Sequence, residues 1–408
     1  MKEIESIVGI PASLCVRCKG AKLLCGKSSC PIVTKVYLAS AISLQKNHVT
    51  GSTPPSVFVG HIGYPKVRVG PAMPEVSGDT SIYDSPTRWG NFSVEQIAHF
   101  RLSMFRGYKI LRVEDASDPS RYLLDLHDIA ISSKSVDGEL EYAKFEPKID
   151  FSPETQPFGP GGILRRFVHS SASSDPVLER VYYDTDLSAR DAILLLYDSG
   201  DIYEIQKALS VGMLGKGRQR KIVPTRWAIT AVDKTLSDIF TSEIQRFEDV
   251  DSYLYFHNRR IGNEYYIIVF PESYCFEMVE VWNNGSIWTM DREPVIESDY
   301  ESAGRLVSSP KIGGSFFAAK LPIVEYLRKK ERKGGILVVR FIDGEYTMPL
   351  GVWQVMENVR TALRSEERLE NLDKFFSIIR TRRSIDLRGY SKTYLFRRNQ
   401  KRITEFAN

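Results

Sequence analysis

Apolar positions follow two rhythms along this chain, and each predicts its own kind of element. In PTRWAITAVDKTLSDIFTSEIQRF, residues 224–247, they recur every three or four positions, with Pro224 and Thr225 near the start. That spacing lines one face of a helix. SVEQIAHFRLSMFRG, residues 93–107, opens on a serine cap and keeps the same period. Helices are predicted as well for SFFAAKLPIVEYLRKKERKGG (315–335, stopped by Gly334 and Gly335), VWQVMENVRTALRS (352–365) and the shorter TKVYLASAISLQ (34–45). SEERLENLDKFFSIIRTRR, residues 365–383, extends the helical region onward. The second rhythm is uninterrupted. AILLLYDSG (192–200) and YYIIVFPESYCFEMVEVW (265–282) read as strand-like or buried segments, and ILVVRFIDGEYTMPLG (336–351) as a strand and turn. Residues 51–90 are dense in Gly and Pro around short β-branched runs at Val57–Val59 and Val67–Val69, which predicts strands joined by ordered turns. No internal repeat or heptad seam interrupts this order. The fold class is α+β, a mixed sheet with several amphipathic helices, in one body from about residue 35 to 375 with a possible subdivision near 160.

Composition changes the picture at the two ends. Over 408 residues no apolar run approaches the roughly 20 positions a membrane span needs. The opening MKEIESIVGIPASLC has no basic region followed by an apolar one, so the expected location is cytoplasmic. The net charge of +4 hides an asymmetry: nine Lys or Arg and one acid, Asp386, lie between Arg380 and Arg402, leaving the rest near −4. Residues 376–408 therefore read as an extended basic tail, suited to a polyanion. It still carries Ile403 and Phe406, which a solvated tail does not need. Such a tail docks on its own body, binds nucleic acid, or presents those side chains to another protein.

Four of the five cysteines fall within residues 15–30, as Cys15-x2-Cys18-x6-Cys25-x4-Cys30. In a reducing compartment so tight a set favours a metal over disulfides. Four thiolates make a closed tetrahedral zinc site, structural because no position is left for water. Residues 1–34 thus read as a small zinc knuckle, with Arg17, Lys19, Lys22 and Lys27 placed to offset the thiolate charge or to touch phosphate. An iron–sulfur cluster would also suit four cysteines, and the spacing does not choose. Cys275, far from the set, reads as a buried strand residue.

Two polar segments carry further candidate chemistry. The first, residues 159–191, gathers Arg165, Arg166, Ser170 and Ser171 near glycine turns, where they would hold phosphate oxygens, with His169 or Asp184 as a general base. The plainer reading is a loop with capping serines and surface ion pairs. The second, KGRQRKIVPTRWAITAVD, places Lys216, Arg218, Arg220 and Lys221 in a basic loop before Arg226, fit to touch a nucleic-acid backbone. No phosphate-binding P-loop, HExxH, GxSxG or kinase signature is present, and the six histidines are scattered.

Taken together, CVRCKGAKLLCGKSSCP, PPSVFVGHIGYPKVRVGP, GDTSIYDSPTRW, RRFVHSSASSDPVLERVYYDTDLSARDA, PTRWAITAVD and MPLGVWQVMENVR resemble the archaeal Nre family of DNA repair proteins, from Cys15 nearly to the last residue. The resemblance implies a role in DNA repair, an N-terminal cysteine knuckle and a C-terminal motif for the sliding clamp PCNA. Gln400, Ile403 and Phe406 fall on that motif's spacing, while Ala407 stands where a second aromatic is common. In such motifs one short turn puts the aliphatic and aromatic side chains on one side, to fill an apolar clamp pocket. The leading expectation is a clamp-recruited repair factor with a structural zinc and a body engaging DNA or a nucleotide. The alternative is an enzyme hydrolysing or transferring a nucleotide-like group in a cleft around residues 161–190, with Asp79, His169, Asp184 and Asp233 as its candidate acids and bases.

Overall fold

Alternating runs of the sequence become a sheet with one bare face, and continuous apolar runs become strands covered on both sides. The computed structural model describes residues 10–20, 22–27, 30, 32, 46–146, 155–290 and 292–399. They divide into two units, one of Ser29–Leu236 with Met348–Trp353, the other of Met1–Ser28, Ser237–Thr347 and Gln354–Asn408.

Along the chain the first helix, α1 (Ala12–Cys18), belongs to the second unit. The first unit contains β1 (His48–Thr53), β2 (Val57–Val59), β3 (Lys66–Met73), α2 (Val94–Leu102), β4 (Phe105–Arg112), α3 (Arg121–Ala130), β5 (Val136–Glu146), β6 (Gly161–His169), α4 (Pro176–Tyr183), α5 (Ala189–Tyr197) and α6 (Ile202–Ser210). It also holds the start of α7 (Thr225–Ile244). Its strands pair in the order β1-β5-β6-β4-β3-β2, antiparallel except where β4 meets β6. The alternation in KVRV decides the faces: Val67 and Val69 are buried while Lys66 and Arg68 are exposed. On the buried side lies α3, whose Leu123, Leu126 and Ile129 are fully covered and whose Tyr122 hydroxyl donates to Val69 O at 2.8 Å.

The second unit continues with β7 (Glu248–Asp249), β8 (Tyr253–Arg260), β9 (Asn263–Phe270), β10 (Cys275–Trp282), β11 (Val295–Ser302), α8 (Ser315–Lys329), β12 (Arg332–Lys333), β13 (Gly335–Ile342), α9 (Trp353–Ala362), β14 (Glu367–Leu369), α10 (Leu372–Arg383) and α11 (Lys392–Asn399). The large sheet has the order β11-β10-β13-β9-β8-β14, with β10 and β13 parallel. Every residue of β9, β10 and β13 is buried. One face, with Tyr266, Ile268, Val279 and Val339, packs on Leu372, Phe375, Phe376 and Ile379 of α10. On the other, Phe276 meets Phe316 of α8 edge-on at 4.8 Å. Cover on both faces is why this stretch reads as unbroken apolar sequence.

Several expectations are corrected here. AILLLYDSG is helical, because Ser188 caps Asp191 N and starts α5 ahead of the apolar run. SEERLENLDKFFSIIRTRR is a strand followed by a separate helix, since Asn371 caps Lys374 N. The division falls inside α7, between Leu236 and Ser237, rather than near 160. Residue 160 precedes Gly161, which pairs with both Arg106 and Glu146 in mid-sheet. The basic segment from 376 to 399 is folded rather than extended: Phe376 and Ile379 are buried, and Arg383 donates to Glu264 and Asp343 at 3.1 Å each. The predicted helix at 34–45 and the motif Gln400, Ile403, Phe406 lie outside the described residues. Among the described residues no helix is long and apolar enough to cross a membrane.

Candidate nucleic-acid interface

The exposed face of the first sheet is built from the two motifs PPSVFVGHIGYPKVRVGP and PTRW. Val59 N donates to Thr225 Oγ1 at 2.9 Å, and the same hydroxyl lies 3.1 Å from Ser210 Oγ. These bonds pin the first turn of α7 against the edge strand β2. As a result Arg226 Nη1 stands 3.5 Å from His61 Nε2, and Trp227 meets Tyr64 edge-on with ring centroids 5.1 Å apart. Three large apolar side chains here face solvent, with Ile62 72% exposed, Tyr64 52% and Trp227 43%.

Beside this rim lies a groove of about 180 Å³ whose walls include Phe58, His61, Arg68, Arg106 and Tyr108. Its floor is bare backbone at Gly70, where a Cβ would come within 1.7 Å of Gly107 O, so only glycine lets the two strands approach. The Arg68 guanidinium lies 4.7 Å from the centre of the Tyr108 ring, and Arg106 lies 5.0 Å from that of Phe58. Arg68 Nη1 is 3.7 Å from Glu146 Oε2, and the Tyr108 hydroxyl donates to the same oxygen at 2.9 Å. Burial, then that hydrogen bond, raises the Tyr108 phenol above its ordinary range, so the ring is neutral.

Register extends the positive charge across the strands. Lys66 is opposite Arg112, Arg68 opposite the exposed Ile110, and Tyr108 and Lys144 both opposite Ile163. Further along β6 a bulge sets Arg165 and Arg166 against Glu141, and both arginines are exposed. Lys66, Arg68, Arg106, Arg112, Lys144, Arg165 and Arg166 thus outnumber the carboxylates Glu114, Glu139, Glu141 and Glu146. Arg165 pairs with Glu141 at 3.2 Å, and Lys144 with Glu146 at 3.6 Å. Positive, partly aromatic surfaces have the chemistry to take phosphate backbone and bases.

The remaining candidates fall in separate settings. Asp79 lines a polar cavity of about 550 Å³ with Ser81, Asp84, Lys134, Asp137 and Lys207. Hydrogen bonds from Ser81 hold its carboxyl below the usual range, which leaves it ionised rather than poised as a base. Asp184 accepts from Asp186 N and Leu187 N at 3.1 Å each, closing a turn. Asp233 is fully buried on α7 and accepts from Gln206 Nε2 at 2.8 Å. His169 Nδ1 lies 2.7 Å from Ser170 O and Nε2 lies 3.8 Å from Asp125 Oδ1; with Asp128 these form a three-residue set whose ligand atoms are within 4.8 Å of one another. Ser170 and Ser171 are exposed just beyond β6. The expected irregular cleft at 161–190 is instead a strand and two helices. Of the basic loop, Arg220 is buried and donates to Gly215 O at 2.8 Å and Tyr182 O at 2.6 Å, a structural role.

At the other end, Cys15 and Cys18 lie one turn apart on α1, no disulfide joins the described cysteines, and Arg292 Nη1 donates to Cys15 Sγ at 3.7 Å. Among the described residues no three of these sulfurs come within 4.8 Å of one another. Lys19 is turned away to a buried pair with Glu280 at 3.3 Å, so it offsets that carboxylate rather than the thiolates or a phosphate.

Comparison with known proteins gives the family. Two family models, "Archaeal Nre, N-terminal" and "Archaeal Nre, C-terminal", match residues 24–289 and 301–406. The chain belongs to the archaeal Nre family. "DNA repair protein NreA" of Archaeoglobus fulgidus is 38% identical over 362 residues, covering 88% of this chain and 91% of that protein. "DNA repair protein NreB" of the same organism is 36% identical over 350 residues, covering 85% and 87%. "DNA repair protein NreA" of Haloferax volcanii is 31% identical over 339 residues, covering 79% and 80%. No solved structure matches this Nre chain. Both strands and the helix start that build the exposed face lie within the N-terminal Nre match.

Tyr64, Trp227, Arg68 and Arg106 were not singled out from sequence. The signal was present for one of them: in KVRVG the alternation puts Arg68, with Lys66, on the face opposite two valines.

Proposed function

We propose that this Nre protein is a DNA repair factor that grips DNA on the outward face of its first sheet. The observation that carries the reading is the set of exposed cations around the Arg68–Tyr108 groove, in a chain whose relatives are named DNA repair proteins. Two further parts of the proposal rest on sequence. Gln400, Ile403 and Phe406 recruit the protein to the sliding clamp, and Cys15, Cys18, Cys25 and Cys30 hold a structural zinc. The donor set suits zinc, because four cysteine sulfurs make a closed tetrahedral site and the Arg292 hydrogen bond is of the kind that steadies a thiolate ligand. Zinc bound there would fix the fold of the N-terminal segment and would leave no open position for chemistry.

Phosphate contacts release counterions, so their number is read from salt dependence. Full-length protein binding DNA should show a steep fall of log K with log salt. A Lys66→Ala/Arg68→Ala/Arg165→Ala variant should lose about two to three from that slope, at roughly 0.7–0.9 per phosphate contact removed. The reading fails if the protein binds no DNA, or if the variant binds with an unchanged slope.

A further inference from the structure

We infer that the strand taken by this face is single-stranded, its bases stacked on Trp227 and Tyr64. The inference rests on the DNA-binding reading above and adds the class of nucleic acid. A duplex offers its surroundings phosphates and base edges, while the flat faces of its bases are already stacked on each other. Presenting one to a side chain means unstacking a step. Exposed aromatic rings therefore gain little from duplex and much from unpaired bases, each of which has a free π-face. The rim holds such rings in place. Trp227 sits in the first turn of α7, pinned by the Val59–Thr225 bond at 2.9 Å, and its ring is braced edge-on by Tyr64 at 5.1 Å. Ile62, 72% exposed, extends the apolar rim. Next to it the Arg68 plane, itself laid on Tyr108, offers a second stacking surface that also neutralises phosphate. The groove beside the rim, about 180 Å³, is far too small to enclose a duplex. Charge selects the occupant: Arg226 lies against His61 near the rim and Arg68 and Arg106 outnumber Glu146 in the adjoining groove, which suits a polyanion rather than an apolar protein face.

Fluorescence isolates the stacking. Of the five tryptophans, Trp89, Trp282, Trp288 and Trp353 are at most 3% exposed, whereas Trp227 is 43% exposed, so quenching by DNA reports on Trp227. Full-length protein is titrated with an oligo(dT) of about 16 nucleotides, the upper end of common single-strand site sizes, and with a blunt duplex of equal length. Oligo(dT) should bind more tightly and quench, and the duplex should leave emission unchanged. Trp227→Ala should abolish the quench and weaken oligo(dT) binding by about 5- to 150-fold, the roughly 1–3 kcal/mol of one stacked base. Duplex affinity should be unaltered, and Trp227→Phe should retain most single-strand binding. Equal affinity for both DNAs, or undiminished oligo(dT) binding by Trp227→Ala, overturns the inference. If the lysine and arginine variant above still loses salt slope in that case, the DNA-binding face stands and only the strand preference falls. If no DNA binds at all, both fail.

Discussion

At the scale of single residues, His127 shows how burial fixes a protonation state. It is 2% exposed on α3, with Nε2 2.9 Å from Val211 O and Nδ1 3.1 Å from the Tyr182 hydroxyl. A carbonyl only accepts, so Nε2 carries the proton and donates, which leaves Nδ1 to accept from Tyr182. Both nitrogens are satisfied in the neutral ring. Burial pushes the pKa down to about 4, the cation of Arg220 adding to it. The sign follows from linkage. Between about pH 6.5 and 4 the unfolded chain takes up a proton that the folded one refuses, so stability falls as pH is lowered through that window. The expected loss is up to roughly 3 kcal/mol, at 1.36 kcal/mol per unit. His127→Gln keeps a donor for Val211 and an acceptor for Tyr182 but cannot titrate. Urea unfolding at about pH 7 and about pH 4.5 should show a smaller acid loss in the variant. An equal loss in both proteins would place the sensitivity elsewhere.

At the scale of elements, what could be read from sequence was periodicity, and what could not was long-range docking. Helix α7 spans nearly the predicted stretch, and α2 begins at Ser93, where Ser93 and Gln96 cap each other. AILLLY has no polar face, so only its tertiary setting separates helix from strand. RRFVHSS reads as a loop because β6 buries little beyond Gly161, Gly162 and Leu164 and exposes Arg165, Arg166 and Val168. For α10, dense charge masks Phe375, Phe376 and Ile379, whose spacing is that of a buried helix face. The interface was hidden for a similar reason: Arg226 and His61 are 165 positions apart, and nothing local brings them together. The element with an open test is α1. It presents Cys15 and Cys18 one turn apart, with Arg292 donating to the first and to Ile10 O at 2.6 Å. Elemental analysis of purified protein should find one zinc per chain, lost from a Cys15→Ser/Cys18→Ser variant. Iron with acid-labile sulfide would assign the cysteines to a cluster instead, and a metal-free chain that takes up neither would remove the site.

At the scale of the whole molecule, the two proposed activities, gripping DNA and being recruited to the clamp, sit on different parts of the chain. Part of the basic C-terminal charge is consumed internally, since Arg383 is paired with Asp343 and Glu264, and Arg388 bonds Asp386 at 2.9 Å. The last described helix is also anchored. Buried Glu277 accepts from Ser391 Oγ at 2.7 Å, Lys392 N at 2.8 Å and Thr393 N at 2.9 Å, which fixes the start of α11 on the second unit. Gln400, the first residue of the proposed clamp motif, follows Asn399 at the end of α11 directly in sequence. A short tether keeps whatever the body holds at high effective concentration near the clamp. It also predicts independence: removing the motif should not disturb the first sheet. In calorimetry with an archaeal PCNA, full-length protein should bind at about micromolar affinity or tighter, worth roughly 8 kcal/mol. A Gln400→Ala/Ile403→Ala/Phe406→Ala variant should lose that binding while its DNA affinity and unfolding midpoint stay unchanged. If full-length protein ignores the clamp and the variant unfolds more easily, Ile403 and Phe406 are docked on the protein's own body. The apolar residues would then be part of its stability, and recruitment would have to come from the proposed DNA-binding face alone.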